Sequence, residues 1–329
     1  MTAMDLAALD TTLNELGQPG FRARQVWRWA AGGAPGYEAM TDVPAALRAQ
    51  LAERVPFSTL ELVNEAHSRD GTIKALFRTA DGRPVEAVLM RYRDGRRSIC
   101  VSSQSGCPLT CTFCATEKMK FGRNLTAAEI LDQVLHFRRI EPVDQLVFMG
   151  MGEPMMNLDA VLEACDRLPD VGITNRRTTV STVGWLPGIE ALTAQSRPVR
   201  LAFSLHAADP ELRSRIMPVN DRYPIEAVLG ACRAHFAATN RTVFIEYVML
   251  AGVNDSPAQA RELAEALGPG RTFKVNLIPY NPTGMYDGSP REVTAAFKAV
   301  LEEHGVHATV RLTRGRDIDA ACGQLAASA

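Results

Sequence analysis

Near the start of the chain apolar side chains recur at helical spacing: Leu6, Leu9, Leu13 and Leu16, then Phe21, Val26, Trp27 and Trp29. Steps of three and four predict short amphipathic helices. Pro19-Gly20 separates the first two, and Gly32-Gly33 with Pro35-Gly36 ends the second. A third is predicted over 44–54. The period then shortens to two. Residues 72–78 and 85–91 read as strands around Asp81-Gly82, a β-hairpin with a bulged loop. Residues 1–90 are therefore expected to form a small helical unit followed by a hairpin, too small for an enzyme core. A basic linker over 91–97 would join it to the rest.

Beyond residue 98 the pattern turns α/β. Strands are predicted at 98–102, 145–149, 177–181, 200–205, 243–249, 273–278 and 307–312, and helices at 126–138, 157–168, 224–237, 257–267 and 291–304. Alternation at this spacing predicts parallel strands joined by right-handed crossovers. It suits an incomplete barrel as well as an open sheet, and in both ligands sit beyond the C-terminal strand ends.

With 46% apolar and 22% charged residues, the chain is expected to be globular rather than disordered. No apolar run approaches a membrane span, and the acidic start lacks a signal-peptide pattern, so a soluble cytoplasmic protein is expected. Lys plus Arg (36) balances Asp plus Glu (37), unlike a dedicated nucleic-acid binder, so partners must be read from local clusters. Of seven cysteines, three fall within eight residues, which points to a metal or to thiol chemistry. Cys165 and Cys232 lie on amphipathic helices and read as core.

The densest chemistry is Cys107-Pro-Leu-Thr-Cys111-Thr-Phe-Cys114, directly after strand 98–102. Three thiolates on one loop suit three irons of a 4Fe–4S cubane, leaving one iron open to a small molecule. Zinc is the rival, but a structural zinc needs a fourth ligand and no histidine lies within twenty residues.

The spacing and the aromatic before the last cysteine resemble the radical S-adenosylmethionine (radical SAM) superfamily. Further segments narrow the resemblance: Ser102-Ser-Gln-Ser-Gly-Cys107, Phe121 to Glu129, Met149-Gly-Met-Gly-Glu-Pro154, Ser181-Thr-Val-Gly184, Ser204-Leu-His-Ala207, Asn276 to Asn281, and Arg314 to Leu325. Together they are similar to the RNA methyltransferases that modify adenosine C2 in 23S rRNA and tRNA.

The resemblance implies an incomplete (βα)6-type radical SAM barrel over 98–329, ending in a methyl-carrier cysteine tail, behind an RNA-recognising N-terminal unit. It implies that Cys107, Cys111 and Cys114 hold the cluster. Gly152, Glu153, Ser181, Ser204, Leu205, His206 and Asn281 would surround SAM, two molecules of which serve each turnover. It further implies that Cys322 is methylated, that its methyl group becomes a methylene radical, and that this radical adds to adenine to give a covalent protein–RNA intermediate. Cys100 would resolve that intermediate, leaving a Cys100–Cys322 disulfide. Glu86, read on composition as a solvated strand residue, matches an acidic residue tied to proton handling near the base. A flavodoxin- or ferredoxin-type electron donor and a monomeric enzyme are expected.

RNA contacts are expected from the basic clusters. Arg91, Arg93, Arg96 and Arg97 crowd the linker, opposed by Asp94. Lys118, Lys120 and Arg123 follow the cysteine loop, Arg176 and Arg177 precede a strand, and Arg311, Arg314 and Arg316 precede Cys322. The last three clusters would line a phosphate-binding entrance on the active face. In the N-terminal unit, burial of Phe21 and one tryptophan would leave Arg22, Arg24 and Arg28 facing the RNA. Glu117 departs from the family pattern, an acid expected to weaken phosphate contacts unless Lys118 pairs with it. Two alternatives stand beside C2 methylation: C8 methylation by the resistance-type relative, and a non-catalytic iron–sulfur or zinc RNA-binding module. The latter leaves Cys100 and Cys322 without a role.

Overall fold

The computed structural model describes residues 5–195 and 197–326. Three helices come first: α1 (Leu6–Glu15), α2 (Phe21–Ala31) and α3 (Ala45–Arg54). Asp5 caps α1 by accepting the backbone N–H groups of Ala7 and Ala8. In α2, Val26, Trp27 and Ala30 face the core, whereas Phe21 is 49% exposed. The expected burial of Phe21 is thus overturned. Six residues separate it from Trp27, a rotation of about 240° on an α-helix, so it lies off the buried face. There its ring carries the Arg22 guanidinium at 4.9 Å.

The sheet begins with β1 (Leu60–His67), β2 (Ile73–Thr79), β3 (Pro84–Arg91) and β4 (Arg97–Val101), all antiparallel neighbours. Strand β1 has no sequence signal because it is an edge strand, mostly exposed and bulged between Leu62 and Asn64. The stretch over 91–97, read above as a linker, is the turn between β3 and β4. The hairpin is therefore continuous with the main sheet.

After β5 (Gln104–Ser105) and β6 (Arg123–Asn124) the chain winds through α4 (Ala127–Ile140), β7 (Gln145–Phe148), α5 (Leu158–Arg167), β8 (Thr178–Thr182), α6 (Leu186–Ala194) and β9 (Arg200–Ser204). It continues through α7 (Pro210–Ile216), α8 (Ile225–Thr239), β10 (Val243–Met249), α9 (Pro257–Leu267), β11 (Phe273–Pro279), α10 (Arg291–Glu303) and β12 (Ala308–Val310). Capping boxes start α4 at Thr126–Glu129 and α9 at Ser256–Gln259. Helix α6 escapes sequence reading because Leu186-Pro-Gly188 looks like a turn, although proline is tolerated in a first helical turn.

Strands β4, β7, β8, β9, β10, β11 and β12 are parallel and adjacent in chain order. A doubly wound sheet reverses its strand order at a switch point, and this one never does. The result is an incomplete (βα)6 barrel, prolonged at one edge by β3, β2 and β1. One apolar core runs from Leu9 in α1 to Leu301 in α10. Trp27 Nε1 donates to Asp170 Oδ2 at 2.6 Å, tying the helical unit to the barrel. Glu141 accepts from both Arg91 and Arg97, bracing the β3–β4 turn.

Phe77 is fully buried on β2 and meets the His136 ring edge-on at 5.0 Å. Phe77→Ala is expected to cost about 3–5 kcal/mol, read as a lowered midpoint in urea unfolding.

Candidate active site

The cysteine loop leaves the C-terminal end of β4. Gly106, with φ +73°, turns the chain into it, and a Cβ there would lie 2.8 Å from the Lys120 carbonyl oxygen. Gly106→Ala is therefore expected to displace the loop, which would be read as reduced iron binding in a protein that still folds. Cys107, Cys111 and Cys114 line one cavity of about 930 Å³ of empty space, open to solvent. Burial raises all three thiols, Cys107 to about 12, and the thiolates of Cys107 and Cys114 add to the rise at Cys111. Among the described residues, no three His, Cys, Asp or Glu side chains converge to hold a metal ion. A cubane takes one thiolate per iron, and the three cysteines around one cavity suit that donor set.

The same cavity takes Gly152, Glu153, Ser181, Ser204 and His206 from neighbouring strand ends. Gly152 has φ +98°, and a Cβ there would lie 2.5 Å from the Gln104 Cβ. Glu153 is buried. Its Oε1 accepts Met155 N–H at 3.0 Å and its Oε2 accepts Val183 N–H at 2.9 Å. Burial still lifts its carboxyl to about 7. Ser181 and Ser204 hydroxyls are 3.4 Å apart.

His206 has a left-handed backbone (φ +59°), held by Asn254, whose Nδ2 donates to the carbonyls of His206 and Val248. Its Nδ1 accepts Val248 N–H at 2.9 Å, which puts the proton of the neutral ring on Nε2. Burial, then the Arg213 charge, pulls this imidazole down to about 3. Leu205 packs into the main core, and Asn281 lines a neighbouring cavity.

That second cavity, of about 550 Å³, is lined by Cys100, Asn281, Met149, Arg311 and Cys322. Cys322 lines both cavities. Its turn is anchored on several sides. Asn281 Nδ2 donates to the Cys322 carbonyl at 3.1 Å, Ala115 N–H to the Gly323 carbonyl at 2.7 Å, and Thr116 Oγ1 to the Leu325 carbonyl at 2.6 Å. The cysteine loop and the Cys322 turn thus hold each other. All seven cysteines are free, so the implied Cys100–Cys322 disulfide is absent; Cys100 is buried, Cys322 exposed. Burial raises Cys100 to about 12, the Cys322 charge adds to this, and Arg311 opposes it. Cys165 and Cys232 are core.

Glu86 is buried and pairs with Lys74 at 3.2 Å, which corrects the reading of a solvated residue. Facing inward on β3, it lines neither cavity.

Several basic candidates are committed to internal partners. Arg123 binds Asp81 and Glu129, Arg91 and Arg97 bind Glu141, Arg28 binds Asp42, and Arg96 binds Asp94. Arg316 holds Asn281 and the Tyr280 carbonyl, and Arg22 donates to Gln25. Lys118 reaches the Thr283 carbonyl rather than Glu117. Arg177 lies 3.9 Å from Asp144, and Arg176 with Arg177 sits at the N-terminal end of β8, away from the cysteines. Among the described residues, Arg24, Arg93, Lys120 and Arg176 form no ion pair.

Two structural residues, Arg213 and Glu246, have no sequence signal, and Arg311, expected among the basic cluster before Cys322, is paired internally with Glu246. Arg213 is fully buried and donates to the Leu205, Val183 and Ser204 carbonyls and to Asn220. Glu246 accepts from Asn276 at 2.8 Å and from Arg311 at 3.2 Å, bridging β10, β11 and the segment after β12.

The chain is similar to known proteins over nearly its whole length. The radical SAM superfamily model matches residues 101–264, and a ribosomal RNA large subunit methyltransferase N-terminal domain matches 1–56. A probable dual-specificity RNA methyltransferase RlmN from Rhodopirellula baltica is 48% identical, over 97% of this chain and 88% of the relative. A counterpart from Thermus thermophilus is 45% identical, over 97% and 92%. The crystal structure of a radical SAM methyltransferase from Sphaerobacter thermophilus superposes with a TM-score of 0.93 at 44% identity, covering 98% of both chains.

Proposed function

The chain belongs to the RlmN family of radical SAM RNA methyltransferases, and from that premise we propose that it methylates C2 of an adenosine in 23S rRNA and in the tRNA anticodon loop, through an S-methylcysteine at Cys322 and a covalent protein–RNA intermediate. The observation that carries the reading is the position of Cys322, shared between the cavity of the three cysteines and the cavity of Cys100.

When bound, a 4Fe–4S cluster and SAM supply the methyl group and the one-electron chemistry. Cys107, Cys111 and Cys114 would hold the cluster. Around SAM, Glu153 offers carboxylate oxygens to an ammonium or hydroxyl, His206 offers its Nε2–H, and Ser181 and Ser204 offer hydroxyls. Leu205 contributes through its backbone, which places His206. Asn281 acts on the carrier side by fixing the Cys322 turn through its carbonyl.

The chemistry needs such a carrier. Adenine C2 is electron-poor and does not attack a methyl donor as a nucleophile. A carbon held on the Cys322 sulfur at the edge of the cavity is presented to the ring at close range, where proximity replaces an improbable encounter. Cys100 shares the second cavity with Cys322, in place to attack the Cys322 sulfur once the base is linked, so that an S–S bond replaces the S–C bond, whose electron pair leaves with the carbon on the base and takes up a proton to complete the methyl group. The Arg311 charge beside it favours the thiolate against burial. Glu86, paired with Lys74, is the candidate for proton handling. A flavodoxin- or ferredoxin-type protein would deliver the electrons to the monomer.

Nucleoside mass spectrometry tests this reading. RNA from cells lacking the activity would be incubated anaerobically with the reconstituted enzyme, SAM and a reductant. The expected product is 2-methyladenosine in both RNA classes. An 8-methyladenosine peak would move the chain to the C8 reaction, and neither product beside confirmed SAM cleavage would sink both.

A further inference from the structure

Helix α7 packs against the cysteine loop. The carbonyl of Ile216, its last residue, accepts Thr112 N–H at 3.1 Å, and Leu212, Ile216 and Met217 pack with Cys111, Phe113 and Val183. The same helix carries Arg213, which is fully buried. Its Nη2 donates to the Val183 carbonyl at 2.6 Å, its Nε to the Leu205 carbonyl at 3.1 Å and its Nη1 to Asn220 Oδ1 at 2.9 Å. The guanidinium lies over the Phe203 ring at 5.2 Å.

Every hydrogen-bond partner of this charge is neutral. Among the described residues Arg213 forms no ion pair. Glu153 takes the N–H of Val183, whose carbonyl Arg213 holds, so the two charges share a residue without pairing. A cation taken out of water among neutral dipoles is strongly unfavourable unless an anion compensates it. Burial pulls the guanidinium down to about 10, and the Cys111 thiolate pushes it back up. The effect is mutual: burial, Cys114, Cys107 and Glu153 raise Cys111, and Arg213 opposes them. The fold thus keeps a buried positive charge, paired with no carboxylate, beside a loop whose three thiolates suit an anionic centre.

We propose that Arg213 is the counter-charge of the iron–sulfur centre: a positioning residue that acts through Cys111, sets its positive charge against the cluster thiolates and makes the cluster easier to reduce. The potential of such a cluster follows the net charge and hydrogen bonding around it. One-electron reduction, the electron coming from the flavodoxin- or ferredoxin-type donor, adds a negative charge, which a buried cation favours in a medium of low dielectric. The same side chain fixes the Val183, Ser204 and Leu205 carbonyls, so one residue serves both the strand ends around SAM and the charge of the cluster. The inference rests on the reading of Cys107, Cys111 and Cys114 as cluster ligands.

The test is a redox titration of the reconstituted enzyme without SAM, followed by the electron paramagnetic resonance of the reduced cluster. Asn220→Asp puts a carboxylate on Arg213 at the position of the present hydrogen bond, and cancels the charge without removing the arginine. It is expected to disfavour reduction about tenfold, which lowers the midpoint of a one-electron couple by ~59 mV. Asn220→Ala drops the same hydrogen bond without adding charge and is expected to keep the parent midpoint. Arg213→Met is expected to lower the midpoint as Asn220→Asp does. Should it fail to fold, the aspartate variant decides alone. Iron lost from Asn220→Asp but kept by Asn220→Ala would also support the pairing, since the oxidised centre is anionic too. An unchanged midpoint in Asn220→Asp would overturn the proposal. So would an equal shift, or an equal loss of iron, in Asn220→Ala. If the parent holds a cluster and the aspartate variant leaves its midpoint unmoved, only the counter-charge falls. If the parent takes up no cluster, the reading of the three cysteines falls with it.

Discussion

Cys322→Ala is expected to leave RNA binding and the fold intact and to reduce methyladenosine to background. The side chain is exposed, and neighbouring groups hold its turn through backbone atoms: the carbonyls of Cys322, Gly323 and Leu325 accept from Asn281, Ala115 and Thr116. Removing the sulfur breaks none of these bonds, so the loss would be chemical rather than structural. Cys100→Ala is a companion with a different outcome. It removes a buried thiol across the second cavity, where resolution rather than methylation of the carrier is at stake. That variant is expected to accumulate protein linked to RNA, seen as a slower band on a denaturing gel. A Cys322→Ala enzyme that still methylates RNA would refute the carrier.

The second large effect concerns the cluster. Replacing Cys107, Cys111 and Cys114 together by alanine is expected to abolish iron binding, the visible charge-transfer absorption and SAM cleavage. In the protein alone all three thiols are raised, Cys107 and Cys111 furthest, by burial first and, at Cys107 and Cys111, by the charge of neighbouring thiolates. Iron relieves that by taking thiolates directly, so the site gains more from metal than the fold gains from the thiols. Folding should therefore survive, with only a modest fall in Tm. Stoichiometric zinc and no iron in the parent protein, after anaerobic reconstitution, would contradict the cluster.

Much of this is legible in the sequence because the signals are local. Three cysteines within eight residues announce themselves, and their strand sits within a residue of its expected place. The parallel strands are readable because strand and helix periods alternate cleanly from 98 onward. Barrel and open sheet separate only with the strand order, which is a property of the assembled sheet. The misses are long-range. Arg213 and Glu246 look like solvated charges in the chain, and Arg311 like one of a basic cluster, and they become structural partners only where separate strand ends meet. Glu86 misleads because its partner Lys74 lies across a strand pair. Most of the basic clusters look freer in sequence than they are, since sequence cannot show which carboxylates, such as Glu141 or Asp81, lie opposite.

The claim that the methyl group travels on Cys322 is tested most directly by a pulse and chase. The enzyme is loaded with methyl-labelled SAM, freed of excess, mapped by peptide mass spectrometry, and then given unlabelled SAM, reductant and RNA. The account predicts one labelled methyl group on the Cys322 sulfur before RNA is added, and its carbon at adenosine C2 afterwards. RNA methylated while Cys322 never carries label, or label that stays on Cys322 as unlabelled methyl groups reach the RNA, would contradict it.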